Sequence, residues 1–536
     1  MAYFSLHAYD ADVWIRSFRG LNQAVELNGD VDYAVEEFNV ETPHGVLQPA
    51  AASLVMEGEF DSRIETICRF HRRWFQASGS KTWLVCCAGG HFYYQQEGVN
   101  IGWLEIPLPA GIEAFESSVW SWVTYEDNEV PSVDHPVDIL ILSNAKDGMI
   151  YINPPDRPSI INDFAENTIE TYENTTIEEM VSPAWSIVRN TDLEYKFGVI
   201  ERYAERVWGG AIPDDPDMLV YSRPYKATDW TQAGPDEQPE DGAGTVQQPS
   251  WDGDSFTSLK AFGDQLIAFK EHRVWRVYGT NPGEFTFNQQ FGGGAPFFNT
   301  IAVDVDRVFM VDKDGPAVYD GMSVTPYMRE QIADIWRTVN RAAMDQMCAT
   351  LWQHRYYLSI PTNGSSVNNA MLVFDQTEGT ILFYKDVYIE SLLGTPDGLY
   401  ATSSSLPGKM LMIKYDSWIE QKGSGGATRW VSPWMDFGYK RIAKGGFDFY
   451  FAPEVQNEAV ELTISIQTEK KTKTKNYTIQ PLTAEQQAAG KEAKYKKLHF
   501  GGTGRKFRII IESAEGVTAP WRIVGGLHLV VETDPD

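Results

Sequence analysis

The 536-residue sequence predicts an all-β protein: a β-propeller, expected to have seven blades, followed by a C-terminal β-sandwich and preceded by an N-terminal arm. Three observations carry this. Short apolar and aromatic runs alternate with Gly, Asp, Asn and Pro turns along most of the chain. Aromatic content is high, with 17 Trp and 25 Tyr, residues that suit strands and broad contact surfaces. After the Gly/Ser stretch "QKGSGGATR" (421–429) the rhythm changes to regularly alternating strands.

Residues 1–60 are expected to form the arm and the first strands, 61–420 the propeller and 429–536 the sandwich. Within 61–420 lie "TWLVCCAGGHFYYQQ" (82–96), "VDILILSNAKDGMIYIN" (137–153), "ERVWGGAIPDDPDMLVYS" (205–222) and "DQLIAFKEHRVWRVYG" (264–279). "DRVFMVDKDGPAVYDG" (306–321), "HRYYLSIPTNGSSVNNAMLVFDQTEGTILFY" (354–384) and "DGLYATSSSLPGKMLMIKYD" (397–416) complete the set. Each reads as strand, polar turn, strand. A lone hairpin cannot bury its face, whereas stacked four-stranded sheets can, and a radial array hides most strand edges. Two stacked sandwiches are the alternative architecture. Two segments break the rhythm. "FAENTIETYENTTIEEM" (164–180) is a helix or a loose insertion, and in "TPYMREQIADIWRTVNRAAMDQMCAT" (325–350) Ile332, Ile335, Trp336 and Val339 fall at helical spacing. "AGPDEQPEDGAGTVQQPSWDGD" (233–254) reads as an exposed loop. In the tail, alternation places Val460, Leu462, Ile464 and Ile466 on one face of a strand.

The net charge is −29. From Gln421 onward there are 17 Lys and Arg against 13 Asp and Glu, a net of +4, so the first 420 residues carry −33. Such a field repels nucleic acid. The four cysteines show no metal spacing; Cys86 and Cys87 are adjacent and point to opposite faces of a strand. They read as reduced thiols, which fits cytosolic synthesis. No secretory leader and no membrane span is expected.

Five carboxylates crowd one stretch: Glu201, Glu205, Asp214, Asp215 and Asp217. A glycosidase would need one buried, proton-holding carboxyl and a partner across the sugar. Interleaved Pro213 and Pro216 favour a solvated hairpin tip instead. Asp304, Asp306, Asp312 and Asp314 offer hard oxygen ligands, but the calcium-loop spacing fails and Asp314-Gly315 reads as a turn. "FGGGAPF" (291–297) opens no helix with a Lys-Ser/Thr, so it is no phosphate loop. "CRFHRRWF" (68–75) is basic and aromatic, and ion pairing between domains or subunits is expected of it. No catalytic residue, cofactor or metal site is expected.

Several stretches resemble the propeller-bearing tail hub and nozzle proteins of tailed bacteriophages, the packaged-DNA stabilisation and tail tubular group. They are "SFRGLNQ" (17–23) with "AVEEFNVETPHGVL" (34–47), then "RVWGGAIPDDPDMLVYSRPYKATDW" (206–230), "DRVFMVDKDGPAVYDGMSVTPY" (306–327) and "WVSPWMDFGYKRIAKGGFDFYF" (430–451). One departure is "LQPAAA" (47–52), where the group often has Arg and Gly. The resemblance implies a non-enzymatic virion protein of the neck or tail, made in the host cytoplasm. It implies a ring of copies, six by expectation, contacting portal, adaptor and tail proteins and continuing the channel through which double-stranded DNA passes without specific binding. Lys471, Lys473, Lys475, Lys494, Lys496 and Lys497 are the candidate subunit contacts; otherwise they are solvated hairpin ends. A tail-tip host- or carbohydrate-binding propeller and a propeller glycoside hydrolase are the alternatives.

Overall fold

The computed structural model describes residues 9–25, 29–51, 53–73, 80–99, 102–127, 137–153, 185–191, 193–247, 254–413, 426–436, 441–455, 458–481 and 495–534. Strands dominate. Seven four-stranded antiparallel meanders follow one another along the chain: 64–106, 121–189, 199–247, 256–289, 302–326, 348–385 and 389–413. The last takes its fourth strand from Leu54–Val55, which pairs with Leu411 and Met412. The architecture is thus all-β and propeller-like. Each stretch singled out in the sequence supplies the two central strands of one meander, and 354–384 most of its fourth strand as well.

Period-2 alternation explains how the sheets stack. Cys86 and Cys87 are both buried, on opposite faces of one strand. Cys87 joins a core that also draws on Leu140, Leu142 and Ile150 of the second meander. Cys86 joins one that draws on Tyr400 and Met410 of the seventh. The same holds down the chain, each core lying between two consecutive meanders. At roughly 25 cal/mol per Å² of apolar surface, such two-faced burial is the dominant favourable term for every sheet.

Apart from the short pair Val40–Glu41 with Gln48–Pro49, the remaining strands form two sheets around one further core that contains Phe449, Leu462, Ile464 and Leu529. Val460, Leu462, Ile464 and Ile466 are all buried. The first 60 residues are not a separate arm. Tyr9–Ile15 pairs with Trp521–Asp534, Glu36–Phe38 pairs with Thr428–Val431, and Leu54–Val55 serves the seventh meander. Residues before Tyr9 lie outside the described part, as does 164–180.

Two further expectations change. The helical segment is one short α-helix, Ala333–Arg337, between 3-10 turns at Glu330–Ile332 and Arg341–Gln346. The apolar stripe is real, since Ile332, Trp336 and Val339 are buried in one core. The helix stops at Arg337 with Thr338 as its C-cap, and Asn340, its backbone extended, starts the next turn by accepting from the Ala342 N–H. Residues 233–247 are also more than an exposed loop. Gly244–Gln247 is the fourth strand of the third meander. Arg206, 1% exposed, reaches the loop before it and donates to the carbonyls of Gly242 (2.7 Å) and Glu240, as well as to that of Ser222 (2.6 Å).

Candidate functional site

The first strands of the meanders converge on a central cavity of about 590 Å³, its wall drawn from six of them and from the turn that enters the fifth. Its charged groups are Glu65, Glu201, Arg202, Lys260 and Glu390. Glu201 therefore does not sit at a hairpin tip. It lies mid-strand in Val199–Tyr203, its side chain only 19% exposed, with Lys260 Nζ at 3.8 Å. Burial pushes its carboxyl above the usual range, against the pull of Lys260. Glu390, from the seventh meander, is likewise pushed up by burial, while Arg63 at 3.0 Å opposes the shift. The Arg202 guanidinium lies 5.3 Å from the Tyr125 ring. The cavity is therefore charge-paired around its rim rather than uniformly acidic.

The other carboxylates of the acidic stretch separate into structural tasks. Glu205 occupies a tight turn at φ 59°, next to Ala204 at φ 48°. Asp214 is exposed. Asp215 accepts from Gln247 Nε2 at 3.1 Å. Asp217 accepts from Lys270 Nζ at 2.7 Å, and that lysine is fully buried, its ammonium 4.7 Å from the Phe256 ring. The four aspartates with calcium-type oxygens are also dispersed. Asp312 accepts from the backbone N–H of Asp314 and Gly315 and pairs with Arg329, Asp306 pairs with Arg307, and Asp304 takes Gln376. The glycines of 292–294 mark close backbone approach: a Cβ on Gly294 would stand 2.3 Å from the Lys270 carbonyl oxygen. The basic cluster at 68–75 is used within the chain, Arg69 with Glu97, and Arg73 with Glu126 and Asp138 of the next meander. All four cysteines are buried thiols.

Among the described residues, the candidate subunit-contact residues Lys473, Lys475, Lys496 and Lys497 fall on terminal strands of the two C-terminal sheets. Thr472–Ile479 is the edge strand of one sheet and Lys496–Phe500 of the other. Lys473 stands opposite buried Ile466, Lys475 opposite buried Ile464, and Lys496 opposite buried Phe451. Residues directly opposite share a face, so these three lysines lie on the core side of the edge and extend to solvent. Lys475 Nζ reaches 5.7 Å from the Phe500 ring across the gap between the sheets. Lys497 points outward to Asp448 at 2.8 Å, Lys471 is exposed beside the 468–471 turn, and Lys494 lies outside the described residues. Inward-pointing lysines on an edge strand discourage strand addition by another chain. The residues alone pointed to charge, and only the cross-strand register shows which way that charge faces.

No protein-family model matches the chain, and no curated protein matches it. Among solved structures it is loosely similar to the WD40 domain of Neurospora crassa Pan2, at 8% identity and a TM-score of 0.35, over 68% of this chain and 97% of that one. It is similar in the same way to the extracellular domain of a one-component-system protein from B. thetaiotaomicron, at 8% identity and a TM-score of 0.40, over 91% of this chain and 63% of that one. An exo-β-1,3-galactanase from Phanerochaete chrysosporium gives 10% identity and a TM-score of 0.21, over 62% and 94%. Scores this low assign no relative and no activity.

Proposed function

We propose that the protein is a non-enzymatic structural component of a tailed-phage neck or tail, a hub or nozzle that assembles as a ring. In this reading the seven meanders are the blades of one propeller closed by Leu54–Val55, and the two C-terminal sheets are a β-sandwich. The ordered resemblance of five stretches between residues 17 and 451 supports it. The observation that carries it is charge segregation: −33 over the first 420 residues against +4 beyond them, with Lys473, Lys475, Lys496 and Lys497 on terminal strands of the two C-terminal sheets. The opposite edge strand, Glu36–Phe38, packs toward the sixth meander. A head-to-tail contact of basic edge on acidic body repeats around a closed ring. DNA would run through the lumen between copies, because a cavity of about 590 Å³ has the size of a small-molecule site and excludes a duplex.

Electron microscopy and sedimentation of the purified protein test this. A ring is expected, six copies by the resemblance, with weak binding to free duplex DNA at physiological salt. Lys471, Lys473 and Lys475 changed together to Glu should reduce assembly, most at low ionic strength where screening is least. The loss should be partial, since exposed pairs contribute about 0–1 kcal/mol each. A monomer under all conditions, or tight duplex binding, would overturn the proposal. A glycoside hydrolase is the second reading, favoured by Glu201 and Glu390 in one cavity with raised proton affinities. A glycan-hydrolysis activity that disappears in both Glu201→Gln and Glu390→Gln would establish it instead.

A further inference from the structure

A second cavity, of about 500 Å³, opens between the second and third meanders. Its wall is Asn190, Leu193, Glu194 and Tyr195 between the meanders, the loop Thr228 to Gln232, and the strand residues Val220, Gly244 and Thr245. We propose that this cleft is a binding site for a neutral saccharide of one or two sugar units.

Three features define the ligand class. First, two aromatic rings are held in place by a shared support. Tyr195 and Trp230 both pack on buried Phe197, at 6.3 and 5.1 Å between centroids. A fixed ring offers the C–H face of a pyranose a flat apolar platform with little ordering cost on binding. Second, polar side chains in the wall are uncommitted. Among the described residues, the Glu194 carboxylate, the Tyr195 hydroxyl and the Gln232 amide make no side-chain hydrogen bond, while Thr231 and Asp229 bond to each other at 2.7 Å. Carboxylate, amide and hydroxyl groups are what a set of sugar hydroxyls needs, as acceptors and donors together. Third, no described wall residue is Lys or Arg, so an anion finds no counter-charge. Arg223, outside the wall, is shared between Asp229 at 3.6 Å and Glu237, so the wall stays net negative and a small cation is the competing occupant that the choline comparison tests. The volume lies in the range of small-molecule sites. The central cavity lacks this character, because its carboxylates are already paired with Arg63 and Lys260.

The inference is independent of ring assembly and holds for a single copy. Saturation-transfer NMR and calorimetry on the full chain would screen neutral hexoses, N-acetylhexosamines and disaccharides, with sialic acid and choline as charged comparisons. Saturable binding to a neutral sugar is expected, with Kd on the order of 0.1–5 mM, as befits a small ligand with few anchors. Tyr195→Ala should weaken it about 10-fold or more. Glu194→Gln, a change at an exposed position with no fold to disturb, should weaken it about 3- to 10-fold. Tyr278→Ala, on the fourth meander, should leave it unchanged. No saturable binding of any neutral sugar up to about 50 mM, binding of choline or sialic acid alone, or full wild-type affinity in both Tyr195→Ala and Glu194→Gln would overturn the proposal.

Discussion

Asp217→Asn should destabilise the third and fourth meanders far more than the same change at Asp214. Asp217 and its neighbours read in sequence as part of one solvated hairpin tip. The structure assigns Asp217 a different task. Its carboxylate is 2.7 Å from the ammonium of Lys270, whose side chain is 0% exposed, whereas Asp217 itself is 20% exposed. Losing one partner of a buried pair costs about 3–5 kcal/mol, because the other charge remains without compensation. The substituted amide would keep a carbonyl acceptor and some water access, so about 2–3 kcal/mol is the expected cost here. That corresponds to about a 30- to 150-fold rise in local opening. Hydrogen exchange reads such opening directly in the strands Met218–Tyr221 and Gln265–Lys270, without requiring the whole chain to unfold in one step. Asp217→Asn combined with Lys270→Met should recover most of the loss, since the stranded charge is gone. Equal exchange rates in Asp217→Asn and Asp214→Asn would refute the reasoning.

The buried carboxyl of Glu37 sets a pH trend. It is 2% exposed, neither oxygen makes a well-formed hydrogen bond, and burial pushes its pKa well above the ordinary range against a weaker pull from the Leu21 backbone. The folded state thus holds this proton more tightly than the unfolded state. Its contribution is fully present below the ordinary carboxylate pKa near 4.5 and is lost as pH rises through the raised folded value. Glu37→Gln should match wild type near pH 4 and exceed it in Tm at pH 8; a constant difference across pH would contradict this. Arg206→Met should leave the carbonyls of Ser222, Glu240 and Gly242 without their donor, at about 1–3 kcal/mol for each that stays dry. Limited proteolysis should then cut within 235–243 in the variant and spare it in wild type, and early cutting there in wild type would contradict the anchoring.

Much of the fold was legible because strand periodicity and turn chemistry are local. Asp312 to Gly315 reads as a turn from its Asp and Gly, and the structure places that turn between two central strands. What stayed hidden depends on long-range pairing. Nothing near Leu54 and Val55 announces that their partners are Leu411 and Met412, more than 350 residues on. Glu201 was misjudged for the same reason. The acidic and Pro-rich residues that follow it suggest a turn, but its surroundings come from the strands of other meanders that enclose the central cavity. Arg206 gave no signal either, because its acceptors are backbone carbonyls, which any residue supplies. The cleft at Tyr195 and Trp230 joins two linkers with no shared motif, and only packing on Phe197 brings them together.

The N-terminal 60 residues tie the two parts of the molecule into one folding problem. Tyr9–Ile15 and Glu36–Phe38 serve the two C-terminal sheets, while Leu54–Val55 completes the seventh meander. Each of these strands covers an edge that would otherwise expose unpaired backbone groups. Their partners lie more than 350 residues further along the chain, so these pairings close very long loops and carry the entropic cost of doing so. Deleting residues 1–60 should therefore damage both parts at once, rather than release the seven meanders and the two C-terminal sheets intact. The exposed Leu54 and Val55 show how thin this closure is: two residues, both more than half exposed, hold the last edge. Leu54→Pro removes the Leu54 backbone N–H and fixes its φ. If closure through 54–55 matters, protection from hydrogen exchange should fall along Leu406–Ile413 while the third meander keeps its own. Unchanged protection at 406–413 would mean that the seventh meander stands without this strand.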